Sequence, residues 1–216
     1  DRFLQPFDLV TVSLGGLQAL TISTPIDEVS GELGTGFFPA RFSGSGRAEG
    51  SVVFVGFGIS APDLDHDDYR SVDVRGHVVL VLDHEPEEFD PTSVFDGSYR
   101  SEHSRAVRKA LEAQRRGAVA VVFISDVHNH RAYNGRSAQP FDADMRRTWP
   151  TGDSRMPIYQ LGSWVSKVRI PVVRLAPHLV ERVFDSIDVR IASLSARAET
   201  PGGILDSGSL DLSMTV

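Results

Sequence analysis

Apolar positions along the chain fall into short runs cut apart by glycine, proline and serine, the pattern of strands joined by tight turns. Leu9 to Leu14, Leu17 to Ile22 and Gly31 to Phe38 are such pieces, and Ser43-Gly44-Ser45-Gly46 closes them off. Ser51 to Phe57 is dense in valine and phenylalanine and predicts a buried strand ending in a turn at Gly56 and Gly58. His77 to Leu82 predicts a second, entered through Asp73-Val74-Arg75-Gly76, where the glycine can supply a positive φ.

The period changes at Ser104 to Arg116, where Val107, Ala110, Leu111 and Gln114 share one helical face opposite arginine and glutamate. Ser104 is placed to cap this helix and Gly117 to end it. The apolar run Val119 to Ile124 follows at once, so a strand, helix, strand unit with a parallel pair and a right-handed crossover is expected. From Asp126 to Lys167 the periodicity fails, and Pro140, Pro150, Gly152 and Pro157 punctuate a long polar loop (126–167). Ile170 to Leu175 reads as a strand, and Pro177 to Ser186 as a helix with proline in its first turn and Leu179, Val180, Val183 and Phe184 turned inward. Val189 to Leu194 and Leu210 to Val216 alternate in the strand manner and predict a last hairpin. The fold class is therefore α/β and strand-rich. Residues 1–50 would lead by strands into a core at 51–216, all in one structural domain.

At 216 residues, 41% hydrophobic and 24% charged, the chain can bury a substantial core. Its longest apolar runs fall far short of the roughly 20 residues that cross a bilayer, so no membrane span is expected. A formal charge of -7 argues against nucleic acid as a partner, because phosphate binding needs a positive surface. The absence of cysteine excludes disulfides, thiolate zinc sites and cysteine nucleophiles while leaving the compartment open. Lys109 and Lys167 are the only lysines among 22 basic residues, a bias that reads as compositional. The N-terminus has no basic region followed by an apolar stretch, so an export signal would have been removed or lie upstream.

Gly56-Phe57-Gly58 with Ala61 matches a dinucleotide fingerprint on paper, but Pro62 and its acidic successors do not continue as the helix that must hold the pyrophosphate. Asp63, Asp65, Asp67 and Asp68 could hold a hard cation such as calcium. Against an EF-hand loop, Asp68 stands where glycine must be and Val74 where the bidentate glutamate must be, which favours a solvated acidic turn. None of the seven histidines (His66, His77, His84, His103, His128, His130 and His178) makes an H-E-x-x-H pair, and surface or loop positions are expected for them. The serine-hydrolase elbow G-x-S-x-G is missing, since Ser43 to Gly46 is out of register for it. No pair of carboxylates stands out for glycoside hydrolysis.

The stretch Val52-Val53-Phe54-Val55-Gly56-Phe57-Gly58-Ile59, with Ala61-Pro62, Asp67-Asp68-Tyr69 and then Asp73 to Leu82, resembles the protease-associated (PA) domain. More narrowly, it resembles the version inserted in bacterial zinc aminopeptidases related to glutamate carboxypeptidase and transferrin receptor. Arg105 to Asp126, with its Gly117-Ala118 turn, resembles the same family's helix and following strand, and Ile170-Pro171-Val172-Val173 its closing segment. Gln5-Pro6-Phe7 resembles the entry into the insertion. The sequence departs from the family at Arg75 and His77, where relatives commonly carry lysine, and nothing aligns over 126–167.

The resemblance implies open β-barrel-like sheets flanked by two or more helices. It also implies a non-catalytic module with no cofactor of its own, zinc being held by a separate peptidase domain of the same polypeptide. That domain and a peptide or protein substrate would be its partners, in a secreted, periplasmic or cell-envelope setting. No catalytic, cofactor-binding or metal-binding residue carries over to this chain; the four aspartates remain weak metal candidates. An independent ligand-binding domain or small hydrolase, and a calcium-stabilised interaction domain, are the competing readings. The ends of the sequence fall about where the peptidase domain would stop and resume, and an insert should have Asp1 and Val216 on the same side.

Overall fold

The computed structural model describes residues 6–15, 18–97, 99–126, 141–149, 159–200, 202–203 and 208–216. Twelve strands are described: β1 (Leu9–Thr11), β2 (Leu20–Ser23), β3 (Glu28–Gly31), β4 (Phe37–Pro39), β5 (Glu49–Phe54), β6 (Ser60–Ala61), β7 (His66–Asp67), β8 (Val78–Leu82), β9 (Ala120–Ile124), β10 (Tyr159–Leu161), β11 (Val172–Leu175) and β12 (Gly208–Thr215). The helices are α1 (Ala106–Arg115), α2 (Phe141–Thr148), α3 (Gly162–Val165), α4 (Pro177–Asp185) and α5 (Ile191–Ala198).

Eight strands form one sheet in the order β3-β2-β12-β5-β8-β9-β11-β4. Its middle is parallel, since β5 with β8, β8 with β9, and β9 with β11 all run the same way. Strands buried on both faces need no alternation, which is why Val78 to Leu82 and Ala120 to Ile124 are apolar throughout. Val78, Leu80, Leu82, Ala120, Val122 and Ile124 face one core with α4, α5, Leu20, Ile22 and Met214. Val79, Val81, Val121 and Phe123 face a second, covered by Ala110 and Ala113 of α1. Burying each of the valine, leucine, isoleucine, phenylalanine and methionine side chains stabilises the fold by about 1.5–3 kcal/mol.

The outermost strands β3 and β4 are consecutive in the chain and joined by residues 32–36 alone, whose turn is closed at Glu32 O by Gly36 N (2.7 Å) and Phe37 N (3.1 Å). So short a link forces the edges together, and the sheet curls into a nearly closed barrel. β2, β3 and β4, from the first fifty residues, are thereby members of the same sheet as the core strands. β1 and β10 pair separately as a two-stranded antiparallel ribbon.

The strand, helix, strand unit has the expected parallel pairing. At its turn, Gly117 has φ +90°, and an added Cβ would lie 2.6 Å from Cγ of Arg75. Three expectations are corrected. α1 begins at Ala106 with no side-chain cap on its extended N-cap residue Arg105; Ser101, not Ser104, caps the preceding single turn at Glu102–Ser104 by accepting from His103 N. The face of α1 that meets the sheet includes Val107, Ala110 and Leu111 as expected, and its fully buried residues are Lys109, Ala110 and Ala113. The segment Asp126 to Lys167 is not simply a loop, since it contains α2, β10 and α3, while residues 127–140 and 150–158 lie outside the described set. α2 is fastened by buried Trp149, whose Nε1 donates to Pro39 O at 2.7 Å.

Val189 to Leu194 is not a strand. Leu194, Ser195 and Ala198 are buried at helical spacing on α5, and this contact with the core overrides the local alternation. β12 pairs instead with β2 and β5. Asp1 lies outside the described residues, and Val216 exchanges backbone hydrogen bonds with Ala48 at 2.8 and 2.9 Å. Among the described residues no helix is long and apolar enough to cross a membrane.

Candidate functional site

In parallel sheets, loops beyond the carboxyl ends of the strands are the usual place for chemistry. Here the chain leaves β8 through Asp83, His84 and Glu85 and leaves β9 through Ser125 and Asp126. Asp83, Glu85 and Asp126 are all buried, as is Asp68 from the turn after β7. Lys109 enters their midst from α1, itself only 1% exposed. Its Nζ donates to Leu82 O at 3.0 Å and to His84 O, and lies 5.5 Å from the centre of the Phe57 ring. Burial pushes the Lys109 ammonium down to about 8, against the opposing pull of Asp83, Asp68, Glu85 and Asp126.

Each carboxylate has its own fixed partner. Asp83 takes both arms of Arg174, one at 2.8 Å. Glu85 accepts from Ser101 N at 2.8 Å and from Ser101 Oγ, and Asp126 accepts from Ser195 Oγ. Asp68 accepts from Ile59 N at 2.9 Å and stands 3.2 Å from Nε2 of His66. Glu88 lies between His84 (2.8 Å) and Arg100 (2.9 Å); burial raises its pKa, but those two hydrogen bonds outweigh it and hold the group at about 2. The result is a compensated network in which buried charge is spent on protein partners.

The four aspartates singled out from sequence are not brought to one point. Asp63 and Asp65 are exposed, Asp67 turns to Arg116 at 3.1 Å, and Asp68 turns inward to Ile59 and His66. Among the described residues no group of three or more histidines and acids is placed to hold a metal ion. The histidines also scatter. His77 bonds Ser51 Oγ at 2.7 Å, His178 is exposed, and His128 and His130 lie outside the described residues. His66 departs from the expected surface position: it is buried edge-on to Phe95, 4.9 Å between ring centres. Gly56 and Gly58 take positive φ, 58° and 66°, in a turn followed by the single 3-10 turn Pro62–Leu64, so no helix N-terminus is offered to a pyrophosphate.

A cavity of about 510 Å³ lies on the α1 side of the sheet near α2. Its floor is one cross-strand row, because Arg174 stands opposite Phe38 on one side and Phe123 on the other. Arg41, Phe42 and Ala106 form part of its wall, and Arg147 and Thr148 of α2 another. Arg41 is half-buried and ties α2 in place, donating from Nε to Thr148 O and from Nη2 to Arg147 O, both at 2.6 Å. A second cavity of about 450 Å³ lies between Gly44, Trp149, Val165 and Val216. Lys109 lines neither cavity.

The sequence model of the PA domain matches residues 45–152, half of the chain. The chain belongs to the PA domain family. The match runs from just before β5 to just past α2, and so takes in Lys109, its carboxylate neighbours Asp68, Asp83, Glu85 and Asp126, and the wall of the larger cavity that α2 contributes. Among solved structures, an aminopeptidase from Aneurinibacillus sp. strain AM-1 is similar at 13% identity with a TM-score of 0.41, covering 96% of this chain and 34% of that one. The PA domain chain thus spans about a third of the length of that protein. No curated protein matches it in sequence.

Sequence reasoning passed over Lys109, Asp83, Glu85, Asp126, Arg174 and Arg41. For Lys109 a signal existed. It is one of two lysines among 22 basic residues, and it stands beside Ala110 and four before Ala113 on the small-residue face of its helix. That face is the one a close-packed helix turns inward. For the others no local signal existed, because their partners come from distant segments.

Proposed function

We propose that this PA domain is a non-catalytic module of a zinc-dependent aminopeptidase polypeptide, where it shapes the approach of peptide or protein substrate to a separate peptidase domain. Family membership over residues 45–152 carries the reading. Two features of the chain support it. Its buried carboxylates are engaged by Arg174, Ser101, Ser195, Ile59 and Arg100, which leaves them committed to holding the fold. In addition, Phe7, Leu9, Tyr159 and Trp164 are exposed on and beside the β1–β10 ribbon, apolar surface suited to packing against a neighbouring domain. A peptidase partner in the same polypeptide would act outside the cytoplasm, secreted or in the cell envelope.

The test is an assay of the chain on aminoacyl-nitroanilide substrates with added zinc. No turnover above buffer is expected, and turnover that survives repurification and disappears on chelation would overturn the reading. Joined to its peptidase domain, the module should alter KM for long peptides more than for a single aminoacyl-nitroanilide. An equal effect on both would remove the role in substrate approach.

A further inference from the structure

We propose that residues 84–97, which follow β8, form a pH-sensitive latch that opens on its own, ahead of the barrel, and admits water to Lys109. The inference is independent of the peptidase reading, since it uses only groups within this chain.

Three observations converge on it. The first is strain. Among the described residues six that are not glycine take positive φ, and four of them fall in this one segment: His84 (64°), Glu87 (53°), Phe89 (82°) and Asp96 (74°). A side chain in the left-handed region crowds its own backbone, so all four favour release of the segment. The second is how the segment is held. It contains neither helix nor strand and is fastened at separate points: Glu85 to Ser101 N (2.8 Å), Glu88 to Arg100 (2.9 Å), Glu87 N to Glu199 (2.5 Å), Phe89 N to Gly97 O (2.9 Å) and the buried ring of Phe95 to His66. Such segments open at a lower free energy than core strands do. The third is its tie to the buried ammonium. Lys109 Nζ donates to the carbonyl of His84, the first strained residue, and the segment brings Glu85 to the carboxylates around it.

The charged groups that face Lys109 are Asp83 and Glu85 from the exit of β8, Asp68 from the turn after β7 and Asp126 from the exit of β9. Arg174 of β11 is paired to Asp83, and His66 stands beside Asp68. On α1 itself Arg105 and Arg108 are exposed. Desolvation outweighs the four carboxylates, so the closed latch holds the ammonium at about 8 against 10.5 in water. The open form therefore binds more protons than the closed one, and the latch tightens as pH rises from neutral to pH ~10.

The experiment uses the chain's two lysines, since Lys167 is exposed and serves as an internal standard for Lys109. The unmodified chain is acetylated with an N-hydroxysuccinimide ester, and the rate at Lys109 relative to Lys167 is read by peptide mass spectrometry. Taking the ratio removes the common pH dependence of amine acylation. The expected ratio is well below one and flat in low urea, because a local opening exposes little surface. It should fall about tenfold between pH ~7 and pH ~9. R100Q, which removes one fastening, should raise it roughly threefold or more, and E87G, which relieves one strained residue, should lower it roughly twofold or more, with folding of each variant checked by its thermal transition. A ratio near one would mean that Lys109 is not sealed. A ratio climbing with urea in parallel with global unfolding, or no acetylation of Lys109 short of that unfolding, would mean that no latch opens. Either result, or a ratio unmoved by pH, would overturn the proposal.

Discussion

Two buried or half-buried cations set two regions of this PA domain apart. Lys109 sits beyond the carboxyl ends of β8 and β9 among Asp68, Asp83, Glu85 and Asp126, and donates hydrogen bonds to the carbonyls of Leu82 and His84. Arg41 sits half-buried beside α2 and donates to the backbone carbonyls of Arg147 and Thr148 at its end. A cation buried among fixed counter-charges fastens a core, whereas a half-buried one bonded to helix-end carbonyls fastens a single element at the margin, and the first costs more to lose.

The comparison can be broken by measurement. The largest expected effect is from K109M, which leaves the carbonyls of Leu82 and His84 without their donor and the buried carboxylates without the cation among them. A loss of about 4 kcal/mol in urea unfolding is expected, while a loss below about 1 kcal/mol would show that the ammonium does not fasten this region. Next is a pH effect. Lys109 titrates at about 8 in the folded chain against 10.5 when free, so between those values the unfolded chain binds more protons and stability rises with pH. The stability gap between the native chain and K109M should therefore widen by up to ~3 kcal/mol from neutral pH to pH ~10. A constant gap would mean that Lys109 keeps its proton.

Arg174 belongs to both regions, pairing Asp83 and forming the cavity floor. R174M should cost about 2–3 kcal/mol in urea unfolding through the stranded Asp83. The smallest effect on stability belongs to R41Q, about 1 kcal/mol for two hydrogen bonds at the margin of α2. If R41Q and K109M were equally destabilising, the contrast between the buried cation and the marginal one would fail.

Much of the fold was legible because central parallel strands and amphipathic helices write their burial into local pattern. Val78 to Leu82, Ala120 to Ile124 and Leu179 to Phe184 could be read from periodicity alone, and the positive φ of Gly117 from its place after a helix. Ile191 to Ala198 failed that test because its first residues alternate like a strand, and only the contacts of Leu194, Ser195 and Ala198 settle it as helix. The cavity was not legible, since Phe38, Arg174 and Phe123 meet only through strand register across distant segments.

By itself the sequence determined that the chain has a buried parallel centre, a PA-like order of strands and helix, and no cysteine chemistry. These follow from side-chain pattern and residue type, which act locally. Only the tertiary structure decided which charges meet. It placed Lys109 among carboxylates and Arg41 beside an apolar space, because electrostatic pairing depends on distance, and distances between remote segments exist only once the sheet has closed.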